Sequence, residues 1–233
     1  MRRRSATLAR PPDRWHPRGM PSAIASVPRP LDPALRVELA LRVAGFDRIA
    51  CDPGDRAAAA VAITLLDDDE GRACFVLTRR AARLSNHGGQ WALPGGRLDE
   101  GEDPVTAALR ELREEVGLAA DPGDVLGLLD DYPTRSGFVI TPVVVWAGAG
   151  ARLEPDPREV AAAYRIPLGE LDHPEIPRLR RIPESERPVI SVPLAGHDVH
   201  APTAAVVYQF REVALHGRAT RVAHFEQPVF AWR

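Results

Sequence analysis

The chain has 233 residues, 45% hydrophobic and 27% charged, a length that fits one sizeable domain with an appendage better than two full domains. Its net charge of -2 and pI near 6.4 give no global field favouring nucleic acid or an anionic membrane, and no apolar run approaches the roughly 18–20 residues of a membrane span. Two cysteines, Cys51 and Cys74, provide neither a disulfide framework nor a thiolate metal site, and with no apolar signal core at the N-terminus a cytoplasmic location is expected.

Residues 1–30 carry seven Arg, six Pro and one acid, Asp13, so a disordered Arg/Pro-rich tail is expected there. All 30 cationic side chains of the chain are Arg, which leaves any phosphate-clamping work to guanidinium groups. From Asp32 to Phe46, Leu35, Val37, Leu39, Leu41 and Val43 interleave with charges and read as a helix. Strands are expected over 59–66, 73–78, 125–129, 139–146, 187–192 and 204–210, each a β-branched or aromatic run bounded by Gly, Pro or Asp. A weaker helix is expected near 177–182. Several strands around one prominent helix indicate an α/β fold with a mixed sheet.

That prominent helix is predicted over 104–116. Asp103 is its N-cap, Pro104 its first residue and Gly117 its terminator. Val105, Leu109, Leu112 and Val116 form an apolar stripe, and Arg110, Glu111, Glu114 and Glu115 fall on the opposing face. The helical repeat brings the three glutamates onto one patch, where carboxylate oxygens suit hard cations such as Mg²⁺ or Mn²⁺. A solvated acidic face with an Arg110–Glu114 pair is the alternative for the helix taken alone.

The residues leading into the helix decide between the two. Gly96, Glu102, Arg110, Glu111, Leu112, Glu114, Glu115, Gly117 and Leu118 satisfy every constrained position of the Nudix box, so 96–118 resembles the catalytic loop and helix of Nudix hydrolases. The resemblance implies an α/β/α sandwich with a mixed β-sheet between helices, spanning 31–233, and hydrolysis of a diphosphate linkage with Mg²⁺ or Mn²⁺ as cofactor. It implies Glu111, Glu114 and Glu115 as metal ligands, with Glu111 or Glu114 as base, and the Gly95 carbonyl as a further ligand. Glu102 and Arg110 would pair and fix the loop against the helix. Glu159 is the candidate for a carboxylate outside the box, with Asp130, Asp131 and Asp156 as alternatives.

Two further stretches resemble the coenzyme A diphosphatases within this superfamily. The first runs from Leu77 to Gly96 and contributes Arg80, Gly89 and Pro94-Gly95-Gly96; the second, Asp131 to Val144, contributes Ser136-Gly137-Phe138 and Thr141-Pro142. Arg80, Arg83, His87 and Gln90 are the substrate-binding candidates, and His87 either positions the Gly88–Gly89 turn or touches substrate. Ser85 stands where the subgroup pattern has Arg, and Arg83, two residues earlier, is the candidate replacement. The resemblance implies coenzyme A or an acyl-CoA as the small-molecule partner. The alternatives are ADP-ribose, NADH or an oxidised dNTP, and a catalytically silent nucleotide-sensing module, which the intact carboxylates oppose. The other histidines show no ligand spacing and are read as capping, packing or solvated. Relatives usually continue into a terminal helix beyond Phe230-Ala231-Trp232-Arg233, so one sheet face is expected to be either less covered or covered by a homodimer partner.

Overall fold

The computed structural model describes residues 28–81 and 89–232. Its centre is an eight-stranded mixed sheet whose main path runs β3 (Trp91–Ala92), β2 (Ala73–Arg80), β1 (Ala57–Asp67), β7 (Phe138–Gly148) and β5 (Val125–Leu128). β4 (Gly95–Arg97) also pairs with β1, β6 (Tyr132–Pro133) with β7 and β8 (Val160–Pro167) with β2. β1 and β7 run parallel and the other pairs antiparallel.

The central strands are apolar at successive positions because both of their faces are covered. On one face Ile63, Leu65, Phe75, Leu77, Val144 and Trp146 join a core with α1 (Pro33–Ala44), α3 (Thr203–Phe210) and the π-helical turn Arg211–Leu215. On the other, Ala60, Ala62, Leu66, Val76, Val143 and Val145 pack under Ala107, Ala108, Leu112 and Val116 of α2 (Pro104–Val116). Alanine on both sides of that second contact lets α2 lie close to β1, which brings its carboxylates to the sheet. The result is the expected α/β/α sandwich.

α1 starts where its sequence says, with the Asp32 carboxylate accepting from Leu35 N at 2.8 Å. It buries Leu35, Leu39 and Val43, one residue per turn, and so leaves Val37 and Leu41 exposed. The tail expected over 1–30 lies outside the described residues as far as 27; its end is ordered instead, because Arg29 O accepts from Ala73 N and Pro30 bridges Arg72.

Two expected elements change type. Residues 204–210 form α3, not a strand: all but Tyr208 are buried, and an apolar run covered on every side has no period to separate helix from strand. Residues 177–182, expected as a helix, instead give β9 (Arg178–Ile182), the edge of a three-stranded antiparallel sheet with β10 (Ser185–Leu194) and β11 (His197–His200). Here pairing with β10 overrides the weak helical pattern. The β10–β11 turn places Ala195 and Gly196 at φ of 49° and 74°, and the half-buried Glu170 accepts from Ala195 N at 3.0 Å. Among the described residues no helix is long and apolar enough to cross a membrane.

Candidate active site

α2 is delivered to the site by its two ends. Asp103 Oδ1 accepts from Val105 N and Thr106 N, and Gly117 closes the last turn at φ 69° with its N–H on Arg113 O. A Cβ on Gly117 would lie 2.7 Å from Glu154 Cβ, so glycine is needed for close approach as well as for its left-handed backbone.

The loop before the helix is tied down by Arg110. Its Nε and Nη2 bond the two Glu102 oxygens at 3.0 and 2.9 Å, Nη2 also reaches Arg97 O at 3.0 Å, and Nη1 reaches Glu111 Oε1 at 2.7 Å. Such a fork needs the planar guanidinium. Glu102 Oε2 further accepts from Asp99 N, and these contacts hold its carboxyl below the usual range, the Arg110 bond contributing most.

The three glutamates do not share one surface patch. Glu115 is 2% exposed and accepts from Gly95 N at 3.2 Å, with Arg80 Nη1 at 3.4 Å. Glu111 is mostly buried and lies against Gly96, whereas the Glu114 side chain is 52% exposed and leans on Arg110 Nη1 at 3.3 Å. Glycine is required at both neighbours. A Cβ on Gly95 would sit 2.3 Å from Ala60 O, and one on Gly96 would sit 2.3 Å from Glu111 Oε1. In the β1–β4 ladder, Ala62 N donates to Pro94 O and Leu98 N to Ala58 O. Gly95 falls between these bonds, so its amide and carbonyl are left for the site.

Glu111, Glu115, Gly95, Gly96, Arg80 and Glu159 line one end of a cleft of about 720 Å³. Burial pushes Glu115 up to about 7 against the pull of Arg80 and the Gly95 N–H, with Glu111 and Glu159 adding to the rise. Burial raises Glu111 too, opposed by Arg110 and reinforced by Glu114 and Glu159. As the side chains stand, no three carboxylate, imidazole or thiol groups among the described residues close on a single point. The donor set nevertheless fits a hard divalent cation, because carboxylates crowded and desolvated in this way call for more positive charge than Arg80 on Glu115 and Arg110 on Glu111 provide.

Of the substrate candidates, Arg80 and Gln90 line the cleft, while Arg83 and His87 lie outside the described residues, as does Ser85. The alternatives to Glu159 are committed elsewhere. Asp130 is held by Arg221, Gln209 and Ile49 N, Asp131 by Arg48, Thr141 and Cys51 N, and Asp156 by Arg158. The far wall of the cleft was not anticipated. It includes Asp198, His200, Thr203, Gln227 and Phe230, from β11, α3 and the last described segment. His200, read as packing, does pack edge-on to Phe230 with ring centroids 5.5 Å apart, but it does so inside the cleft.

A mixed sheet between helices, with a glycine-bounded loop and an acidic helix at one cleft, defines a Nudix fold. The Nudix domain family pattern matches residues 56–187, more than half of the chain, and the chain belongs to that family. It is 43% identical over 97 residues to a Nudix hydrolase NudL of Pectobacterium atrosepticum, itself described as uncharacterized, covering 41% of this chain and 50% of that protein. The same name and coverage hold for a protein of Cronobacter sakazakii at 41% identity (again 41% of this chain and 50% of that one). The chain thus spans about half the length of the curated relatives it matches. The MutT/nudix family protein of Enterococcus faecalis superimposes with a TM-score of 0.50 at 15% identity, over 69% of this chain and 62% of that one, a likeness of fold.

Proposed function

We propose that the chain is a metal-dependent diphosphatase acting on a nucleoside diphosphate derivative, with coenzyme A or an acyl-CoA as substrate. The products are then 4′-phosphopantetheine, or its S-acyl form from an acyl-CoA, and adenosine 3′,5′-bisphosphate. The observation that carries the reaction is the complete 96–118 pattern, folded so that Glu111 and Glu115 flank the bare Gly95–Gly96 backbone at one end of the cleft. Mg²⁺ or Mn²⁺, held there by Glu111, Glu114, Glu115, Glu159 and the Gly95 carbonyl, would polarise a phosphoryl oxygen and acidify a bound water.

The side chains divide the remaining work. Water oxygen bonds to one phosphorus, the bridging P–O bond breaks, and Glu111 or Glu114 takes the water proton. Glu102 and Arg110 do not touch the reacting atoms; their fork holds the loop, and Arg110 holds Glu111 at 2.7 Å. Arg80 and Gln90, with Arg83 and His87, bind the substrate; Arg is the residue suited to bidentate phosphate contact.

The substrate rests on the resemblance of 77–96 and 131–144 to coenzyme A diphosphatases. Ser85 in place of that pattern's Arg favours a second reading within the same reaction class, namely ADP-ribose, NADH or an oxidised dNTP. A hydrolysis panel with Mg²⁺ or Mn²⁺, read by product chromatography, separates the two. Coenzyme A cleaved in preference to dephospho-coenzyme A is the expected result. Faster turnover of ADP-ribose, NADH or 8-oxo-dGTP would overturn the substrate and keep the reaction, and no metal-dependent cleavage of any would overturn both.

A further inference from the structure

The cleft has two chemically different ends. From the carboxylate end its floor runs along β1, where Val61 pairs with Gly95, Ala59 with Arg97, and Ala57 with Phe138. Four residues of strand separate the level of Gly95 from that of Phe138, on the order of 13 Å, which leaves room for a sugar between them.

At the distant end the Phe138 ring has the Arg97 guanidinium 5.0 Å from its centroid. Phe230 lines the same cleft, 59% exposed and braced by the edge of His200. Thr134, Ser136 and Gln227 contribute polar groups to the lining of the same cleft. The segment bearing Phe230 is fastened down: Glu226 takes Arg135 at 2.8 Å and Ser185 at 2.9 Å, and Tyr132 donates to Phe225 O at 3.0 Å. It also lies beyond residues 56–187, so the shared family pattern does not prescribe it.

We infer that this end holds the flat base of the nucleotide, with Phe138 and Phe230 as specificity-determining residues; the inference rests on reading the other end as the diphosphate site. An exposed ring, a ring capped by a planar cation and a rim of donors and acceptors suit a heterocycle that stacks on its faces and hydrogen-bonds at its edges. An aliphatic arm would bury the rings but leave the rim unused.

The test is calorimetric titration, without metal, of adenosine 5′-monophosphate, ribose 5-phosphate and 4′-phosphopantetheine into the wild-type chain, Phe230→Ala and Phe230→Tyr. Wild type is expected to prefer the adenosine compound to ribose 5-phosphate. Phe230→Ala should weaken that ligand about tenfold, the order of one lost base–aromatic stack, and Phe230→Tyr should retain it. Equal binding of the adenosine and ribose compounds by wild type, including no binding of either, overturns the inference. So does an adenosine affinity unchanged in Phe230→Ala, or a Phe230 dependence seen for 4′-phosphopantetheine instead. The hydrolysis panel reads the reaction separately: base binding lost in Phe230→Ala without any hydrolysis would leave the base site standing and remove the proposed reaction.

Discussion

Gly96→Ala and Gly95→Ala, adjacent substitutions of the same size, should fail in different ways. A Cβ on Gly96 would stand 2.3 Å from Glu111 Oε1 and 2.6 Å from its Cδ. Ordinary contact begins at 3.4 Å, so the carboxylate has to move by about 1 Å, a displacement that a flexible side chain can make at little expense to the fold. A shift of that size in a group proposed to act on the reacting atoms is expected to lower turnover about a hundredfold. At Gly95 the obstacle is backbone, with Ala60 O at 2.3 Å and Val61 Cα at 2.7 Å, and φ is 157°. Neither can yield without opening the β1–β4 pair, so Gly95→Ala should lower the melting temperature by several degrees as well as abolish activity. The assay is steady-state hydrolysis, with Mg²⁺, of the proposed substrate coenzyme A, alongside thermal unfolding followed by circular dichroism. Gly96→Ala should melt within a few degrees of wild type and turn over far more slowly. A Gly96→Ala protein turning over within about threefold of wild type would refute the placement of Glu111 in the reaction.

Three other outcomes follow from the same contacts. Arg110→Lys should fold yet lose about tenfold or more in turnover, because an ammonium cannot replace the fork that joins Glu102, Arg97 O and Glu111; wild-type kinetics would rule out a positioning role. Burial works against the Glu226 carboxylate but is outweighed by its bonds from Arg135, Gln227 N and Ser185, so its folded pKa lies below the ordinary value. The stabilisation is therefore complete above the unfolded carboxylate range and is lost as pH falls through the depressed folded value. Glu226→Gln should lower the urea midpoint at pH 7 by the equivalent of about 1–2 kcal/mol, discounted because Arg135 is half exposed, with the gap narrowing on acidification; a gap independent of pH would refute the linkage. Cys74 is fully buried, its thiol pushed by burial up to about 12, while Cys51 is half-buried. A disulfide reagent at pH 8 should therefore modify Cys51 first and reach Cys74 only in denaturant; rapid labelling of both in native protein would contradict the packing beneath α2.

What could be read from the sequence divides along a physical line. The 96–118 stretch was legible because its constraints are local: a cap, a terminator, two glycines and a fork between residues eight apart all act within one loop and one helix. The strands β1, β2 and β7 were legible because burial on both faces makes each a continuous apolar run. The buried state of Glu115 was not, since the helical period alone places it with the polar face. Only the close approach of α2 to β1, through Ala60, Ala62, Ala107 and Ala108, carries that carboxylate under Gly95. The far wall of the cleft was hidden for a related reason. Residues 204–210 are buried on nearly all sides and 178–182 follow their pairing partner, so both take their form from contacts distant in sequence. Phe230 reaches the cleft because Glu226 is bound to Arg135, 91 residues earlier, a pairing no spacing encodes. Local chemistry thus marks the end of the cleft where a bond would break, and tertiary packing builds the end that would select what enters.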